Sequence, residues 1–461
     1  MERNYLEELK QILDSNLSNE QKKEQLLQYH ESDIADLLEE LDEDERKKIY
    51  DLLGDESVAD IFSHVENVDE YVDELSADKA ADIIEKMDAD DAIDVLDELD
   101  EDRRDEIVSL LDKEAREDIV QIASYDEDEL GSKMTNNYVV IHTTDNVKSA
   151  MKQVIKEAAD NDNVSNIFVL NDDETFYGVL ELRELIIARQ NDDLLKKIKT
   201  NYPYFYDKAN ISDVLPDLKE YGLDSYPILN EKNELVGVVT ADDVVEAVDD
   251  EMGDDYAKFA GLTEEIEQGE SVFSSVKKRI PWLIILLVLG LVQSFSMTGF
   301  ESVIASLPII VFFQTLVLDM AGNSGTQSLA VTIRLLSDKP DSGKEIFKSA
   351  AKEFLTGLLN GLILGALSFA FVVIFLFITK QSVHPGEVFS WGSALKGGGI
   401  VGIALLIAMS VSSLVGALVP IIFMKIHIDP AVASGPFITT INDITALLIY
   451  YGLAYALFLA F

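Results

Sequence analysis

The chain has 461 residues, no cysteine, five histidines and a formal net charge of −48. Disulfides and thiolate metal sites are therefore excluded, and scattered imidazoles argue against a zinc or copper centre. So large an acidic surplus attracts cations and repels nucleic acid and anionic lipid, so no nucleic-acid partner is expected. The charge is also uneven. Residues 1–270 hold 76 acidic against 26 basic side chains, whereas residues 271–461 hold 9 and 11 and read as long apolar runs. An acidic soluble half is joined to a membrane half. Residues 1–8 lack the apolar stretch of a signal peptide, so the soluble half is expected to be cytoplasmic.

The first 130 residues read as an acidic helical repeat. Leu75, Met87, Leu99 and Leu111 recur every twelve residues, and the same phrase occurs at Leu41 and Leu53. Each copy places Ser or Asp at an N-cap, acids in the first turn and then an apolar pair such as Ile83-Ile84. Short helices of this kind cannot bury their apolar faces alone and are expected to stack into a superhelical N-domain. Its surplus carboxylates read either as a solvated face or as ligands for a hard divalent cation.

From residue 131 to 250 the pattern alternates strand and helix twice. The second copy contains Pro227-Ile228-Leu229, Gly237-Val238-Val239 and Thr240–Asp243, with a tight turn at Asn230–Asn233. This doubled unit resembles a tandem CBS pair, a regulatory module that in some proteins binds adenosine nucleotides. In the second copy the Thr240 hydroxyl and the Asp243 carboxylate would hold phosphate and ribose, with ATP the expected ligand. In the first copy Glu181 and Glu184 follow Gly178 and would repel a phosphate chain. Residues 251–276 are expected to form a connecting helix, broken near Gly269.

The membrane domain is expected over 277–461, with spans at 282–300, 303–336, 354–378, 395–424 and 431–461, each long enough to cross the hydrocarbon core. The second is interrupted at Pro308 and at Gly322-Asn323-Ser324-Gly325. Lys277-Lys278-Arg279, the basic loop from Arg334 to Lys352, and Lys425 mark the cytoplasmic side, which leaves the C-terminus outside. Asp319 and Asp443 are the two acids well inside spans, and intramembrane acids suggest function. Asn323 and Gln327 read equally as packing residues or as part of an opened backbone facing an ion path.

The stretch DPA-x-x-S-x-P-x-x-T-x-x-x-D at Asp429–Asp443, GN-x-G-x-Q at Gly322–Gln327, Gly299-Phe300-Glu301-Ser302 at the exit of the first span, and the domain order together resemble the MgtE family of magnesium channels and transporters. The fold implied is multidomain: an all-α superhelical N-domain, an α/β CBS pair, a connecting (plug) helix and an all-α domain of five spans. The resemblance implies a homodimer in the lipid of the plasma (inner) membrane, with a pore between the second and fifth spans of both subunits. Asp443 would form its central Mg²⁺ site. Thr439 would line the same face, Asn323 would lie in the pore, and Gly435 and Val432 would lie nearer the cytoplasmic mouth. It also implies closure when cytosolic Mg²⁺ binds between N-domain and CBS pair, at Asp60, Asp90, Asp94, Asp250, Asp254 and Asp255. Two alternatives stand beside a Mg²⁺ uptake channel: an exporter or exchanger of another divalent cation such as Co²⁺ or Mn²⁺, and a membrane-tethered CBS sensor. The sequence has no P-loop, nucleophile elbow or His-rich metal motif, so no enzyme is expected.

Overall fold

The twelve-residue phrases each become one short helix. In the computed structural model, which describes residues 5–65, 67–158, 161, 163–264, 266, 270–337, 343–383 and 388–460, helices α1 to α10 occupy Tyr5–Asp14 through Lys113–Ile122. Among them are α4 (Glu43–Leu53), α5 (Asp55–Phe62), α7 (Ala77–Ile84), α8 (Ala89–Glu98), α9 (Glu101–Leu110) and α10 (Lys113–Ile122). Ser76 caps α7, Asp112 caps α10, and Asp42 forms a capping box with Glu45 at α4. These side chains satisfy amide donors that every helix start leaves free. Arg46 and Arg116 reach back to the carbonyls of Leu41 and Leu111, the residues that open their own repeats. The apolar pairs converge on one continuous core running from Leu9 to Ile119.

The chain divides into two compact units, Met1–Val248 and Asp249–Phe461. The first also contains two three-stranded sheets. In the first module, β1 (Val139–His142) runs parallel to β2 (Asn166–Leu170), which pairs antiparallel with β3 (Phe176–Glu181). The helices α11 (Val147–Glu157) and α12 (Leu182–Ile187) complete it. The second module repeats this with β4 (Phe205–Tyr206), α13 (Ile211–Tyr221), β5 (Ser225–Leu229), β6 (Leu235–Thr240) and α14 (Ala241–Ala260). The hairpin turns match as well: Glu174 and Asn233 both take positive φ. Gly178 and Gly237 serve as crossing points. A methyl group at Gly237 would overlap Met134, and one at Gly178 would lie 2.6 Å from the Lys199 carbonyl oxygen. Each glycine thus admits the segment leading into the opposite module, through the bridges Thr135–Val238 and Val179–Lys199. Ile122, at the end of α10, enters the core of the second module beside Leu130, Met134 and Tyr226, with Ala89 and Ile93 of α8 packed against that core.

The second unit begins within α14. The expected connecting segment, 251–276, therefore begins as the end of a longer helix, Ala241–Ala260. Gly261 (φ +83°) ends it, and the Leu262 amide donates back to the Ala257 carbonyl. The expected break at Gly269 lies outside the described residues, as do Lys339 and Glu387 of the loops. Then follow α15 (Val272–Thr298), α16 (Glu301–Ser306), α17 (Pro308–Ser337), α18 (Gly343–Thr379), α19 (Trp391–Lys425) and α20 (Gly435–Ala460).

Among the described residues, four helices are long and apolar enough to cross a membrane: Val272–Thr298, Gly343–Thr379, Trp391–Lys425 and Gly435–Ala456. The second expected span is α17, a helix of 30 residues, ~45 Å at 1.5 Å per residue. Gln314, Asp319, Asn323 and Gln327 dilute its apolarity. Two local expectations change. The chain stays helical straight through Gly322-Asn323-Ser324-Gly325, so no backbone opens there; the break falls at Leu307, before Pro308. The fifth helix starts at Gly435 rather than Ala431. Asp429 caps a 3₁₀ turn over Pro430–Val432, and Ser434 Oγ accepts from the Phe437 amide to begin α20.

Candidate functional site

Two groups of carboxylates stand out, one in each unit. The first lies where α8 faces the second α/β module. Asp88 occupies an N-cap position but makes no cap hydrogen bond; its Oδ1 accepts instead from Asn137 Nδ2 at 2.9 Å. Asp90 is only 7 % exposed, and its Oδ1 has no hydrogen-bond partner among the described residues. Burial, then the charges of Asp243, Asp91 and Asp88, raise its pKa well above the usual carboxylate range. Burial raises Asp91 to about 7, helped by Asp88, Asp243 and Glu246. Burial raises Asp243 to about 6, against the hydrogen bonds from Thr240. Lys133 is the cation here, with Nζ 2.8 Å from Glu246 and 3.5 Å from Asp94.

This is a crowded acidic cleft with too little positive charge. Among the described residues, no three Asp, Glu or His side chains converge closely enough to hold an ion. Like charges at this spacing hold one another apart. Of the expected regulatory residues, the structure brings Asp90 and Asp94 to this cleft. It adds Asp88, Asp91, Asp243 and Glu246. Asp60 lies exposed on α5, a different element, and Asp250, Asp254 and Asp255 belong to the second unit.

Thr240 and Asp243 do not form an open nucleotide cradle. The Asp243 carboxylate accepts from both the backbone amide and the hydroxyl of Thr240 at 2.7 Å, and it faces other acids. A cavity of 520 Å³ opens elsewhere in the pair, between Asn166, Glu181, Arg183, Lys199, Tyr202 and Asp224. The two glutamates expected to repel phosphate are matched by cations: Glu181 pairs with Lys199, and Glu184 with Lys197 at 2.8 Å. Asn166 Nδ2 donates to Ser225 Oγ at 2.9 Å, and Tyr202 OH donates to the Ser225 carbonyl at 3.0 Å.

The second group is in the membrane unit. On α17, Asp319, Asn323 and Gln327 recur every fourth residue, so they share one face, and all three are exposed. An exposed polar stripe on a helix flanked by apolar helices does not face lipid without cost. Asp443 and Thr439 of α20 approach the same helix. A methyl group at Gly322 would lie 3.2 Å from Thr439 Cγ2 and 3.7 Å from Asp443 Oδ1. The Thr439 hydroxyl donates to the Gly435 carbonyl at 2.9 Å, leaving its oxygen lone pairs as acceptors.

At the start of α20 the end of the connecting helix is seated. Lys258 Nζ lies 2.8 Å from Asp429. Burial, Asp429 and Glu251 raise Asp255 to about 6. A methyl group at Gly435 would come 3.4 Å from the Phe259 carbonyl oxygen, and one at Gly261 would come 3.4 Å from Pro436 Cγ. Phe259 packs against a cluster of Leu329, Ala433 and Ile438.

A highly acidic unit followed in the chain by a bundle of long apolar helices, one of them with a polar stripe, suits the class of divalent-cation transporters. Residues 314–453 match the family model of the divalent cation transporter MgtE, residues 29–128 the MgtE intracellular N domain, and residues 128–191 and 193–250 the CBS domain. The chain is 36% identical over 457 residues to the magnesium transporter MgtE of Enterococcus faecalis, covering 97% of each. It is 33% identical to that of Bacillus subtilis, over 73% of this chain and 71% of the relative, and 30% identical to that of Thermus thermophilus, over 72% and 71%. The crystal structure of the soluble part of a magnesium transporter is similar with a TM-score of 0.51 and 26% identity, covering 54% of this chain and 98% of that one. The chain belongs to the MgtE family.

Proposed function

We propose that this protein is a Mg²⁺-selective channel or transporter of the plasma membrane, closed by cytosolic Mg²⁺. The observation that carries the reading is the face shared by Asp319, Asn323 and Gln327 with Asp443 and Thr439 beside it. In one protomer this polar stripe lies open. A second copy facing it about a two-fold axis would enclose a polar path with two Asp443 carboxylates across it. Mg²⁺ dehydrates reluctantly, so such a pair would hold it through its water shell. The basic residues flanking the first span and in the loops at 334–352 and 425 support a cytoplasmic soluble unit and an outward C-terminus. The relatives named above are magnesium transporters, which favours Mg²⁺ over Co²⁺ or Mn²⁺.

For regulation, the cleft of Asp88, Asp90, Asp91, Asp94, Asp243 and Glu246 supports the sensor. Divalent ions binding there displace protons and cancel repulsion, so they favour the compact arrangement of N-domain and CBS pair. Asp255, Lys258 and Asp429 form the second control point, where the connecting helix meets the mouth of α20. An adenosine nucleotide such as ATP is assigned to the cavity beside Arg183 and Lys199, not to Thr240 and Asp243.

The test is Mg²⁺ flux in liposomes at low and high Mg²⁺ on the cytosolic face. Asp443→Asn abolishes flux if the pore runs past it; persistent flux sinks the pore and moves weight to a sensor. Neutralising Asp90, Asp94, Asp254 and Asp255 together leaves flux intact at low Mg²⁺ and weakens inhibition at high Mg²⁺. Unchanged inhibition would remove the regulatory assignment.

A further inference from the structure

Beside Asp443 sits a polar side chain with a different environment. Asn442 is fully buried, and its Oδ1 and Nδ2 make no hydrogen bond among the described residues. The Oγ of Ser412 on α19, also fully buried, is in the same condition. The amide lies where α17, α19 and α20 cross. A methyl group at Gly416 would overlap the Gly325 carbonyl oxygen, so these glycines put the backbones of α17 and α19 in contact. A methyl group at Gly325 would overlap Asn442 Nδ2 and lie 3.2 Å from the Ser412 carbonyl oxygen. Asn442 therefore fills the gap left at this crossing.

Successive residues on a helix point about 100° apart. With Asn442 wedged against Gly325, Asp443 is turned to Gly322, one turn earlier on the same side of α17. A buried amide that bonds nothing does not favour the fold, and an apolar side chain of its shape would serve stability as well or better. Its place in the crossing is geometric. We infer that Asn442 is a positioning residue: by locking the rotation of α20 against Gly325, where α17 and α19 cross, it sets where the Asp443 carboxylate stands. The inference rests on the reading of Asp443 as the ion site.

The experiment is Mg²⁺ flux into liposomes as a function of Mg²⁺, with Ca²⁺ as competitor. The full-length protein is compared with Asn442→Ala, the milder Asn442→Ser and Asp443→Asn. Asn442→Ala is expected to raise half-saturating Mg²⁺ roughly tenfold and let Ca²⁺ compete, because a displaced liganding group loses its geometry. Maximal flux is retained, and Asn442→Ser shifts in the same sense by less. If Asn442→Ala cannot be purified, Asn442→Ser decides. Wild-type half-saturation and Ca²⁺ discrimination would overturn the inference, as would a fall in maximal flux alone, the mark of a merely structural residue. Flux surviving Asp443→Asn would instead overturn the pore reading, whatever Asn442 does.

Discussion

The cleft of the first unit and the face around Asp443 in the second both gather carboxylates, yet they are built on opposite principles. In the cleft, the acids come from two modules, α8 of the helical repeat and α14 of the second CBS module. Their mutual repulsion is opposed by little besides Lys133, and the modules meet through a few apolar side chains such as Ala89, Ile93 and Ile122. In the membrane unit, Asp443 is carried by a helix pinned through close contacts of Thr439, Asn442 and Asp443 with Gly322 and Gly325 of α17. Tyr450 OH donates to the Ile310 carbonyl at 2.7 Å and Tyr451 OH to Gln314 Oε1 at 2.6 Å, tying α20 to α17 further along. A sensor needs carboxylates whose spacing responds to charge; a selective path needs carboxylates whose spacing does not.

The contrast can be broken most severely at the rigid site. Gly325→Ala forces Cβ into Asn442, between backbones that cannot separate locally. Overpacking of this kind costs ~1–3 kcal/mol or more, and the expected outcome is loss of folded membrane protein on size-exclusion chromatography. A larger addition at an exposed position of the same helix, Ala330→Val, is expected to be tolerated.

The compliant site is sharpened by pH. Asp91 and Asp243 have native pKa values of about 7 and about 6, above the ~4 of an unfolded carboxylate. Between those values the native state binds more protons than the unfolded state, so Mg²⁺-free stability rises as pH falls from 8 through 6. The contribution is complete below ~4 and lost as pH rises through 7. Saturating Mg²⁺ is expected to flatten this dependence by replacing the protons. Hydrogen exchange of α8 at pH 6 and 8, with and without Mg²⁺, measures it; protection independent of both would separate the cleft from cation sensing.

The smallest effect is expected at the junction between control and conduction. Lys258→Ala removes the partner of Asp429 and leaves Asp255 and Asp429 facing each other. A partly exposed ion pair is worth ~1 kcal/mol at most, so half-inhibitory Mg²⁺ should shift by less than tenfold, with conduction at low Mg²⁺ preserved.

Local features were legible wherever the physics is local. The repeat of Leu, cap and acid specified the helices α4 and α7 to α10, because capping and first-turn charge act within four residues. The hairpin turns at Asn171–Thr175 and Asn230–Glu234 were equally readable. Asp443 and Asn323 could be singled out because an acid or amide among apolar residues is conspicuous in one dimension. Partnership was not legible. Asp90 sits among other acids (Asp88, Asp91 and Asp94) in a repeat like that of Asp60, so nothing in the sequence distinguished Asp90, which is buried, from Asp60, which is exposed. Thr240 and Asp243 had the residue types for a ligand, but they bond each other. Glu181 looked repulsive until Lys199, eighteen residues later, was found beside it.

By itself, then, the sequence determined the two halves, the repeat, the doubled α/β pattern, the membrane helices and the acids worth attention. Those follow from charge, period and capping, which depend on near neighbours. Tertiary structure decided that Gly322-Asn323-Ser324-Gly325 stays helical, since its glycines are needed for helix crossings and not for an opened backbone. It also decided that Asp88 turns from its helix to Asn137, and that Asn442 and Asp443 point to different glycines of α17. These are choices among side-chain partners far apart in the chain, and their energies exist only once packing has brought the partners together.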